Sequence, residues 1–561
     1  LVGQITSNGT VNGEAPILMI TDGELVNLAK GGRLDPDRDK VIIDEFHAFT
    51  DMMEIGAALS MYRDIYTAAM YATIEPSSAV EYLSQPDKGI GATAYVEAKE
   101  ERRFPLEHFR AIDCFPDAAK DGRVKMEDFL HRYIEKYLFT ERREDGSAKS
   151  ALVFVNKISE VKALVELINS GSASEKDKIM AIALYSEIVR DDKKYREFEA
   201  KIRYCRERNI PFLIISTNVA EMSITPDIDD VITLDSEYRE FGAEGRARLE
   251  IWPIRINSYI QRAGRAARLR AGRCFLVDSP VEAYKQEYPL LERELKQSVI
   301  ATAKDLSELQ PQPIEPPLQN ADLKTFAFTI LETGIPLDKL KLMSKITPEF
   351  KYAYEIEVST IKQLGLADKD RKLTWLGRTV SRLSLENLYY ATLFARAFED
   401  EYLDKDTKIA LAIMCVFAEN VDVYRLASDK KSIDGTLRRI RDKGLVNPNS
   451  DLITLYNIVR DFMASSQSRE SLERGYLDSM GLSIPAFYSA LQRGRILFMS
   501  MRDRGIAEGL PRSLPELTKE QTAQLLNFFA RTMVFSKFKM RQDRFGFSDR
   551  SGYGAREVHQ V

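Results

Sequence analysis

Short apolar runs rich in β-branched residues recur through the first half of the chain, and each ends in a polar loop. Charged segments with a helical pattern separate many of them. Continuous apolar strands that alternate with helices are typical of parallel sheets covered on both faces, so this half is predicted to be α/β. The runs are ILMIT (17–21), KVIID (40–44), AAMYAT (68–73), ALVFVN (151–156), PFLIIST (211–217), DVITLD (230–235) and CFLVD (274–278).

The character of the sequence changes after the proline cluster LQPQPIEPPLQN (309–320). From residue 321 to about residue 504, Leu, Ala and Met recur at three- and four-residue spacings, a period that predicts helices. Charged or polar stretches at 97–103 and 141–150 break the preceding strand series into two blocks. The chain is therefore expected to combine an α/β part with a mostly helical part.

Size and composition limit the class of protein. A length of 561 residues favours several domains. Charged residues make up 29% and apolar residues 44%, which is the balance of a soluble globular protein. A net charge of -5 gives no global attraction to nucleic acid, so any phosphate-binding surface must be local.

Cysteine usage and the apolar runs bear on location. The four cysteines are scattered singly, with neither metal-type spacing nor a disulfide framework, so an intracellular protein of cytoplasm or nucleus is expected and a viral origin stays open. The longest apolar run, IALAIMCVFA (409–418), is about half the ~20 residues needed to span a bilayer. No membrane partner is expected.

The stretch VIIDEFHAFT (41–50) places Asp44 and Glu45 directly behind an apolar strand. Parallel α/β sheets bind their ligands at the carboxyl ends of the strands. In phosphoryl transfer one carboxylate typically holds Mg²⁺ while a neighbour orients or deprotonates the attacking water. The alternative is a solvated strand end, which is the commoner explanation of a lone Asp-Glu pair.

The stretch QRAGRAARLRAGR (261–273) carries arginines in steps of three. On a helix Arg262, Arg265 and Arg268 would lie near one another, and planar guanidinium groups suit phosphate oxygens. Gln261 could hydrogen-bond a water. The alternatives are a solvated basic face or a plain nucleic-acid patch.

A third stretch, STNVAEMSIT (216–225), places small hydroxyl and amide residues directly after a strand. Such side chains and their backbone amides suit contacts to a sugar-phosphate backbone. A polar turn would have the same composition.

In this order the three stretches resemble the DEAH-box branch of the superfamily 2 RNA helicases, at motif II (44–47), motif V (216–225) and motif VI (261–268). The resemblance covers about residues 2 to 504. Other segments that fall in register are VGQI (2–5), MITDGELVNL (19–28), YAT (71–73), RFPLEHF (103–109), LVFVN (152–156), LYSEI (184–188), LTWLGRTVSRLSL (373–385) and SDLITLYNIVRDF (450–462).

The resemblance implies an α/β motor of two RecA-like parallel-sheet domains, the first incomplete, followed by mostly α winged-helix and helical-bundle (ratchet) domains. The expected domains are the C-terminal part of the first RecA-like domain (1–100), the second RecA-like domain (101–305), the winged helix (306–388), the bundle (389–510) and a tail that could begin an OB-fold (511–561).

The resemblance also implies roles for individual residues, with ATP and Mg²⁺ as cofactors and sequence-independent single-stranded RNA as partner. An activating protein partner is compatible with the family. At the ATPase site, Asp44 would hold Mg²⁺ through water, Glu45 would be the general base, and the other catalytic residues would be Gln261 and the arginine fingers Arg265 and Arg268. The implied nucleotide contacts are His47, Asp227 and Gly264. The implied RNA contacts are Thr21, Ser186, Thr217 and Asn218, and the implied coupling residues are Tyr71 and Thr73.

The chain departs from the family pattern in several places. None of its 29 glycines is followed by lysine, so the Gly-x-x-x-x-Gly-Lys-Thr phosphate loop is missing, and we expect the chain to be a truncated part of a longer protein. Phe46, Tyr71, Met222 and Ile228 each replace a smaller or hydroxyl-bearing family residue.

These observations favour an ATP-dependent RNA helicase that moves 3′ to 5′, present here without its phosphate loop and inactive as an isolated piece. One alternative is a catalytically inactive, helicase-like RNA-binding scaffold. The other is a viral or DNA-directed DExH helicase.

Overall fold

The structure, a computed structural model, forms two compact units. Unit 1 comprises Leu1–Thr21, Leu323–Lys339 and Pro348–Val561, and unit 2 comprises Asp22–Asp322 and Leu340–Thr347. The structure describes residues 2–549 with these gaps: 7–8, 72–74, 85–103, 171–178, 191, 224–226, 244–245, 285–289, 320, 322, 384, 386, 420–429, 466–474, 478, 483, 503–508, 533–537 and 541–546.

The described strands, in chain order, are β1 (Val2–Thr6), β2 (Gly9–Val11), β3 (Ile17–Ile20), β4 (Lys40–Ile43), β5 (Tyr66–Ala69), β6 (Leu106–Arg110), β7 (Ser150–Phe154), β8 (Met180–Leu184), β9 (Phe212–Ser216), β10 (Asp230–Leu234), β11 (Ser236–Ala243), β12 (Arg246–Pro253), β13 (Gly272–Val277), β14 (Phe538–Met540) and β15 (Phe547–Asp549).

The described α-helices of unit 2 are α1 (Asp22–Lys30), α2 (Asp51–Tyr62), α3 (Pro76–Leu83), α4 (Ala111–Cys114), α5 (Met126–Tyr133), α6 (Ile158–Ser170), α7 (Ser186–Arg190), α8 (Asp192–Glu207), α9 (Ala220–Ser223), α10 (Ile256–Ala263), α11 (Val281–Tyr284), α12 (Leu291–Gln297) and α13 (Val299–Thr302). Short 3₁₀ turns lie at Phe46–Ala48, Pro116–Ala118, Leu306–Glu308 and Pro317–Gln319, and a π-helical turn at Ile134–Leu138.

A six-stranded parallel sheet is the centre of unit 2, with the strand order β6-β13-β10-β7-β9-β8. All five residues of β7, β9 and β10 are buried. Successive residues point to opposite faces: Leu152 and Phe154 pack into one apolar cluster, Ala151 and Val153 into another. The sheet is therefore covered on both sides, and the predicted α/β architecture is confirmed.

Residues 22–84 add a smaller α/β region to unit 2. Strands β4 and β5 pair in parallel, from Lys40↔Tyr66 to Ile43↔Ala69. Helix α2 follows with Thr50 as its N-cap, since the hydroxyl of Thr50 accepts a hydrogen bond from the Met53 amide at 3.1 Å. This region positions the Asp-Glu pair at the end of β4.

Unit 1 is mostly helical, as predicted for the second half of the chain. It also holds a small sheet in which β1 pairs antiparallel with β2 and parallel with β3, and an antiparallel pair β14–β15. Its described α-helices are Leu323–Thr333, Pro348–Gln363, Trp375–Val380, Leu388–Glu399, Lys405–Glu419, Lys430–Asp442, Asp451–Ser465, Ile484–Arg502 and Lys519–Thr532.

The contact-based units are coarser than the predicted domains. Residues 306–322 and Leu340–Thr347, which the sequence places in the winged helix, group with unit 2. The five-domain division and the OB-fold in the tail stay predictions. Among the described residues, no helix is both long enough and apolar enough to cross a membrane.

Candidate active site

Asp44 and Glu45 follow β4 directly, and both are exposed. Glu45 adopts a left-handed backbone conformation, with φ 51° and ψ 41°, which residues with a Cβ rarely adopt. Its amide donates a hydrogen bond to Asp44 Oδ1 at 2.9 Å. The turn thus presents two adjacent carboxylates to solvent at the carboxyl end of a parallel strand.

Backbone pairing and a buried ring hold this turn in place. The amide of Phe46 donates a hydrogen bond to the carbonyl of Met70 at 2.9 Å. The amide of Met70 donates one to the carbonyl of Ile43 at 2.8 Å. Phe46 is fully buried and packs against Phe49, with ring centroids 4.4 Å apart. The large side chain that replaces a smaller family residue therefore serves as an anchor beneath the carboxylates.

Tyr71, one of the two predicted coupling residues, lies beside the buried ring of Phe46. The centroid of the Tyr71 ring lies 6.4 Å from that of Phe46. The Tyr82 ring is stacked on Phe46 at the same centroid distance. Thr73 lies outside the described residues. The role of both residues in coupling stays a prediction.

His47 and Gln261 meet although they are 214 residues apart in sequence, with 2.7 Å between Gln261 Nε2 and His47 Nε2. Because the amide nitrogen can only donate, His47 Nε2 accepts and Nδ1 carries the proton. His47 Nδ1 lies 3.2 Å from Glu45 Oε2. The imidazole therefore lies between the glutamate and α10, which carries Gln261 and Arg262. The helix ends at Ala263, so the expectation that Arg265 and Arg268 lie on the same helix is wrong, and both follow its C-terminus.

The neutral form of His47 is favoured by its surroundings. Burial lowers the pKa of the imidazole, and the nearby charge of Arg265 acts in the same direction, whereas Glu45 and Asp44 oppose the shift. A neutral ring can accept from Gln261 through Nε2, while its Nδ1 lies 3.2 Å from Glu45 Oε2 without hydrogen-bond geometry.

Helix α10 carries Gln261 and Arg262, but Arg262 does not face solvent. Its side chain is only 2% exposed, with Nε 2.6 Å from Glu221 Oε1 and Nη1 3.0 Å from Thr233 Oγ1. Its guanidinium also lies 4.9 Å from the centroid of the Phe154 ring. Of the arginines spaced three apart, Arg262, Arg265 and Arg268, the first is therefore part of the interior.

The other two arginines differ in exposure. Arg265 is buried, and burial lowers its pKa; the neighbouring Arg268 acts in the same direction, while Glu45 and Glu221 oppose it. Arg268 is exposed, and its Nε donates to the carbonyl of Gly264 at 3.3 Å. Arg265 thus acts electrostatically on both Glu45 and His47, as a group near a developing negative charge would need to do.

The backbone around these arginines is tightly packed. An added Cβ on Gly264 would lie 3.2 Å from the carbonyl oxygen of Ile260. Gly272 is tighter, because a Cβ there would lie 2.6 Å from the Ala267 nitrogen and 2.8 Å from the Asp229 oxygen. The sequence singled out Gly264, but Gly272 at the start of β13 is the glycine that packing requires more strictly.

Comparison with known proteins now adds to this geometry. Residues 130–270 match the helicase conserved C-terminal domain. The ATP-dependent RNA helicase HrpA of Borreliella burgdorferi is 24% identical over 472 residues, which cover 83% of this chain and 50% of that protein. The chain therefore contains a helicase conserved C-terminal domain and is similar to ATP-dependent RNA helicases.

Further relatives give the same assignment. The human probable ATP-dependent RNA helicase DHX34 is 26% identical over 366 residues, covering 61% of this chain and 30% of that protein. The crystal structure of the Escherichia coli DExH-box NTPase HrpB has the same fold, with a TM-score of 0.59 and 17% identity over 98% of this chain and 54% of that one. The chain spans half or less of the length of the curated relatives named here.

Asp227, which the family resemblance implies as a nucleotide contact, has arginine partners in the structure. Arg143 Nη1 lies 3.1 Å from its Oδ2, and Arg270 Nη2 lies 3.0 Å from the same atom. Burial would raise the pKa of Asp227, but the hydrogen bond from Arg270 and the charge of Arg143 outweigh burial and lower it. A ribose hydroxyl would have to share this carboxylate with two guanidinium groups, and the nucleotide role stays a prediction.

Three of the implied RNA contacts lie at one edge of the large sheet. Leu184 pairs with Ser216 at the carboxyl ends of β8 and β9, and the Thr217 amide donates to the Leu184 carbonyl at 3.4 Å. Ser186 and the exposed Asn218 follow these two strand ends. Thr21 follows β3 in unit 1. The edge presents small polar side chains, as contacts to a sugar-phosphate backbone require.

Glu221 is a site residue that the sequence analysis missed. Its carboxylate pairs with Arg262, and its carbonyl accepts from Gln261 Nε2 at 3.4 Å. Burial raises the pKa of Glu221, and the Arg262 charge opposes the shift. Glu221 lies in the middle of the stretch STNVAEMSIT, which is predicted to contact phosphates. A single acidic residue in such a stretch is a signal that its carboxylate pairs with a buried cation, here Arg262.

Proposed function

We propose that this chain provides the base, the bridging pair and the arginine fingers of an ATP-dependent RNA helicase that hydrolyses ATP and moves 3′ to 5′ along RNA. The observation that carries the proposal is the linked series Glu45, His47 and Gln261, with distances of 3.2 and 2.7 Å along it. A carboxylate beside a neutral imidazole that contacts α10, with Arg265 and Arg268 directly after that helix, supplies the base and the positive charge that phosphoryl transfer to water needs.

Glu45 would accept a proton from the attacking water. Its carboxylate is exposed, and its Oε2 lies 3.2 Å from the Nδ1 of His47. Gln261, hydrogen-bonded to the same imidazole, couples α10 to the base.

Asp44 would hold Mg²⁺ through water. Its exposed carboxylate supplies the hard oxygen ligand that Mg²⁺ prefers, with the ion keeping several of its waters. When bound, the ion supplies positive charge at the phosphate oxygens. The residues of this chain that fit the terminal phosphate end of ATP are Asp44, Glu45, Arg265 and Arg268.

Arg265 and Arg268 would place positive charge where the transition state develops negative charge. Arg265 is pre-positioned by burial, whereas Arg268 is exposed and free to reorient toward a ligand. Because no glycine in the sequence precedes a lysine, the phosphate loop must be supplied by residues other than these 561, and hydrolysis belongs to the full-length protein.

RNA would be held without base recognition by Thr21, Ser186, Thr217 and Asn218. Such contacts to phosphate and sugar are sequence-independent and salt-sensitive. Closure and reopening of the cleft during ATP turnover would shift the grip along the strand. An activating protein partner is part of this proposal.

Replacement of Glu45 by glutamine tests the proposed base. In the full-length protein, E45Q is expected to lower RNA-stimulated ATP hydrolysis by roughly 10²–10⁴-fold, the typical contribution of a positioned base, with RNA affinity unchanged. The matched control is E127Q, an exposed glutamate in the first turn of α5, which should hydrolyse ATP normally. Equal hydrolysis by E45Q and the control would refute the role of Glu45.

The isolated chain gives a second test. We expect it to retain single-stranded RNA at low salt, with log affinity falling linearly against log salt, and to bind ATP weakly because it lacks a phosphate loop. Filter binding over a salt series and equilibrium dialysis with Mg²⁺-ATP measure the two quantities. Tight Mg²⁺-dependent ATP binding by this chain would contradict the assignment.

A non-catalytic RNA-binding scaffold is the second candidate. Tyr71, in place of a small hydroxyl residue next to motif II, is the observation that favours it. In that case the full-length protein would bind RNA with no ATP hydrolysis, whether or not Glu45 is replaced. A DNA-directed helicase would instead show equal stimulation of hydrolysis by single-stranded DNA.

A further inference from the structure

The proline-rich segment 309–319 touches both α/β regions of unit 2, and we call it the strap. The amide of Gln312 donates to Asn257 Oδ1 at 2.7 Å, and Asn257 Nδ2 donates to the carbonyl of Gln312 at 2.9 Å. The same carbonyl accepts from the Glu75 amide at 3.3 Å. One residue of the strap therefore joins α10 to the start of α3.

The strap has a second contact on each side. Glu315 Oε1 lies 3.6 Å from Arg239 Nη1 on β11, and the amide of Leu318 donates to Glu54 Oε2 at 3.3 Å. Leu318 and Ile314 are buried, so apolar packing adds to the polar contacts. Along its length the strap thus alternates between the region that carries the base and the region that carries the arginines.

Glu54 makes the end of the strap a strong attachment. This carboxylate on α2 is fully buried, and Ser344 donates to it through its amide at 2.6 Å and its hydroxyl at 2.9 Å. A buried carboxylate that loses its donors is costly, because a desolvated charge then has no compensating hydrogen bond. The segment around Leu318 and Ser344 is therefore firmly fixed to the helix that follows the Asp-Glu turn.

Asn257 and Gln261 lie four residues apart on α10, so they share one face of the helix. Asn257 holds the strap, and Gln261 holds His47. We propose that Asn257 is a positioning residue: by clamping Gln312 it sets where α10 stands relative to the base-bearing region, and with it the contact between Gln261 and His47. This inference rests on the proposed function for its catalytic consequence.

The test uses the 561-residue chain with three variants. N257A removes both bonds to Gln312, and N257D keeps the acceptor but loses the donor. N457A is the matched control, because Asn457 Nδ2 donates to the Leu445 carbonyl at 3.0 Å in unit 1. The measurements are amide hydrogen exchange of residues 309–319 and the imidazole signals of the four histidines in selectively labelled protein.

In N257A we expect exchange across the strap to rise roughly fivefold, the factor that corresponds to loss of about 1 kcal/mol of hydrogen bonding. The His47 imidazole signal should shift, N257D should lie between wild type and N257A, and N457A should change neither quantity. A purely local bond would speed exchange at Gln312 and leave His47 unchanged. That result, or no change in either quantity, would overturn the positioning role.

Kinetics of the full-length protein separate this inference from the proposed function. If both are right, N257A lowers kcat for ATP hydrolysis while leaving KM for ATP unchanged, because Asn257 acts through Gln261 and not on the nucleotide. If the protein hydrolyses no ATP, the exchange and histidine measurements still decide whether Asn257 positions Gln261. Failure of the proposed function therefore leaves this test intact.

Discussion

Replacing Arg262 by methionine would test whether this arginine belongs to the interior or to the phosphate site. Its side chain is 2% exposed, and it contacts two carboxylates, Glu221 at 2.6 Å and Glu237 at 3.7 Å, which are themselves 13% and 4% exposed. Methionine fills a similar volume but leaves both carboxylates without this cation. Breaking a buried ion pair by removal of one partner costs about 3–5 kcal/mol.

The expected destabilisation is measurable by urea unfolding of the 561-residue chain. The two tryptophans report on different units, Trp252 on unit 2 and Trp375 on unit 1. Trp375 is 46% exposed, so a W375F background should leave Trp252 as the single fluorescent reporter at little cost. With a denaturant slope of about 3 kcal/mol/M, R262M should lower the unfolding midpoint by roughly 1–2 M.

Two further variants make the reasoning refutable. R268M changes an exposed arginine of the same motif, and its free energy of unfolding should stay within about 0.5 kcal/mol of the parent. R262M/E221Q removes one of the abandoned charges, so the double variant should be more stable than R262M alone. If R262M unfolds at the same urea concentration as R268M, or if E221Q adds to its defect, Arg262 is not held as a buried ion pair.

Two other predictions concern backbone packing and pH. G272A should destabilise unit 2 by several kcal/mol, because the new Cβ would lie 2.6 Å from the Ala267 nitrogen. G23A in α1 is the control: the space around Gly23 is open, so this variant should be neutral or slightly stabilising. Thermal unfolding of both variants measures the difference in stability. The lowered pKa of His47 means that the unfolded chain takes up its proton first, so the stability that the neutral ring contributes is complete above about pH 6.5 and declines as the pH falls toward the lowered value. The loss of stability between pH 7.5 and 5.5 should therefore be smaller in H47Q than in the parent, and an equal loss would show that the imidazole does not titrate in this way.

The sequence predicted the central sheet well because burial on both faces leaves a direct trace in composition. ALVFVN and PFLIIST correspond to β7 and β9, displaced by only a residue or two. The hairpin β11–β12 was missed, although it is the longest pairing in the fold, running from Ser236↔Pro253 to Ala243↔Arg246. Its strands are rich in charged residues and contain no continuous apolar run, so only the pairing of one strand with the other defines them.

Site residues were predictable to the extent that one stretch carried them. The Asp-Glu pair and the arginine series could be read locally, and the meeting of His47 with Gln261 was expected from family resemblance. The division of labour among the arginines was not predictable, because Arg262 and Arg265 differ in burial and partners and not in spacing. The sequence does not show whether an arginine of this series pairs with Glu221 or with a phosphate. That depends on a contact between segments about forty residues apart in the chain.

The backbone of Glu45 carries information that the sequence does not show. At φ 51° a residue with a Cβ is strained by about 1–3 kcal/mol, and glycine would occupy the position at less cost. The surrounding structure imposes the conformation in two ways. The ring of Phe46 is buried, and the Phe46 amide donates a hydrogen bond to the Met70 carbonyl. The carboxylate of Glu45 lies 3.2 Å from the His47 Nδ1. A position where conformational energy favours glycine but a glutamate stands is better explained by chemistry than by folding, and the charge of the buried Arg265 acting on that glutamate favours phosphoryl transfer as the chemistry.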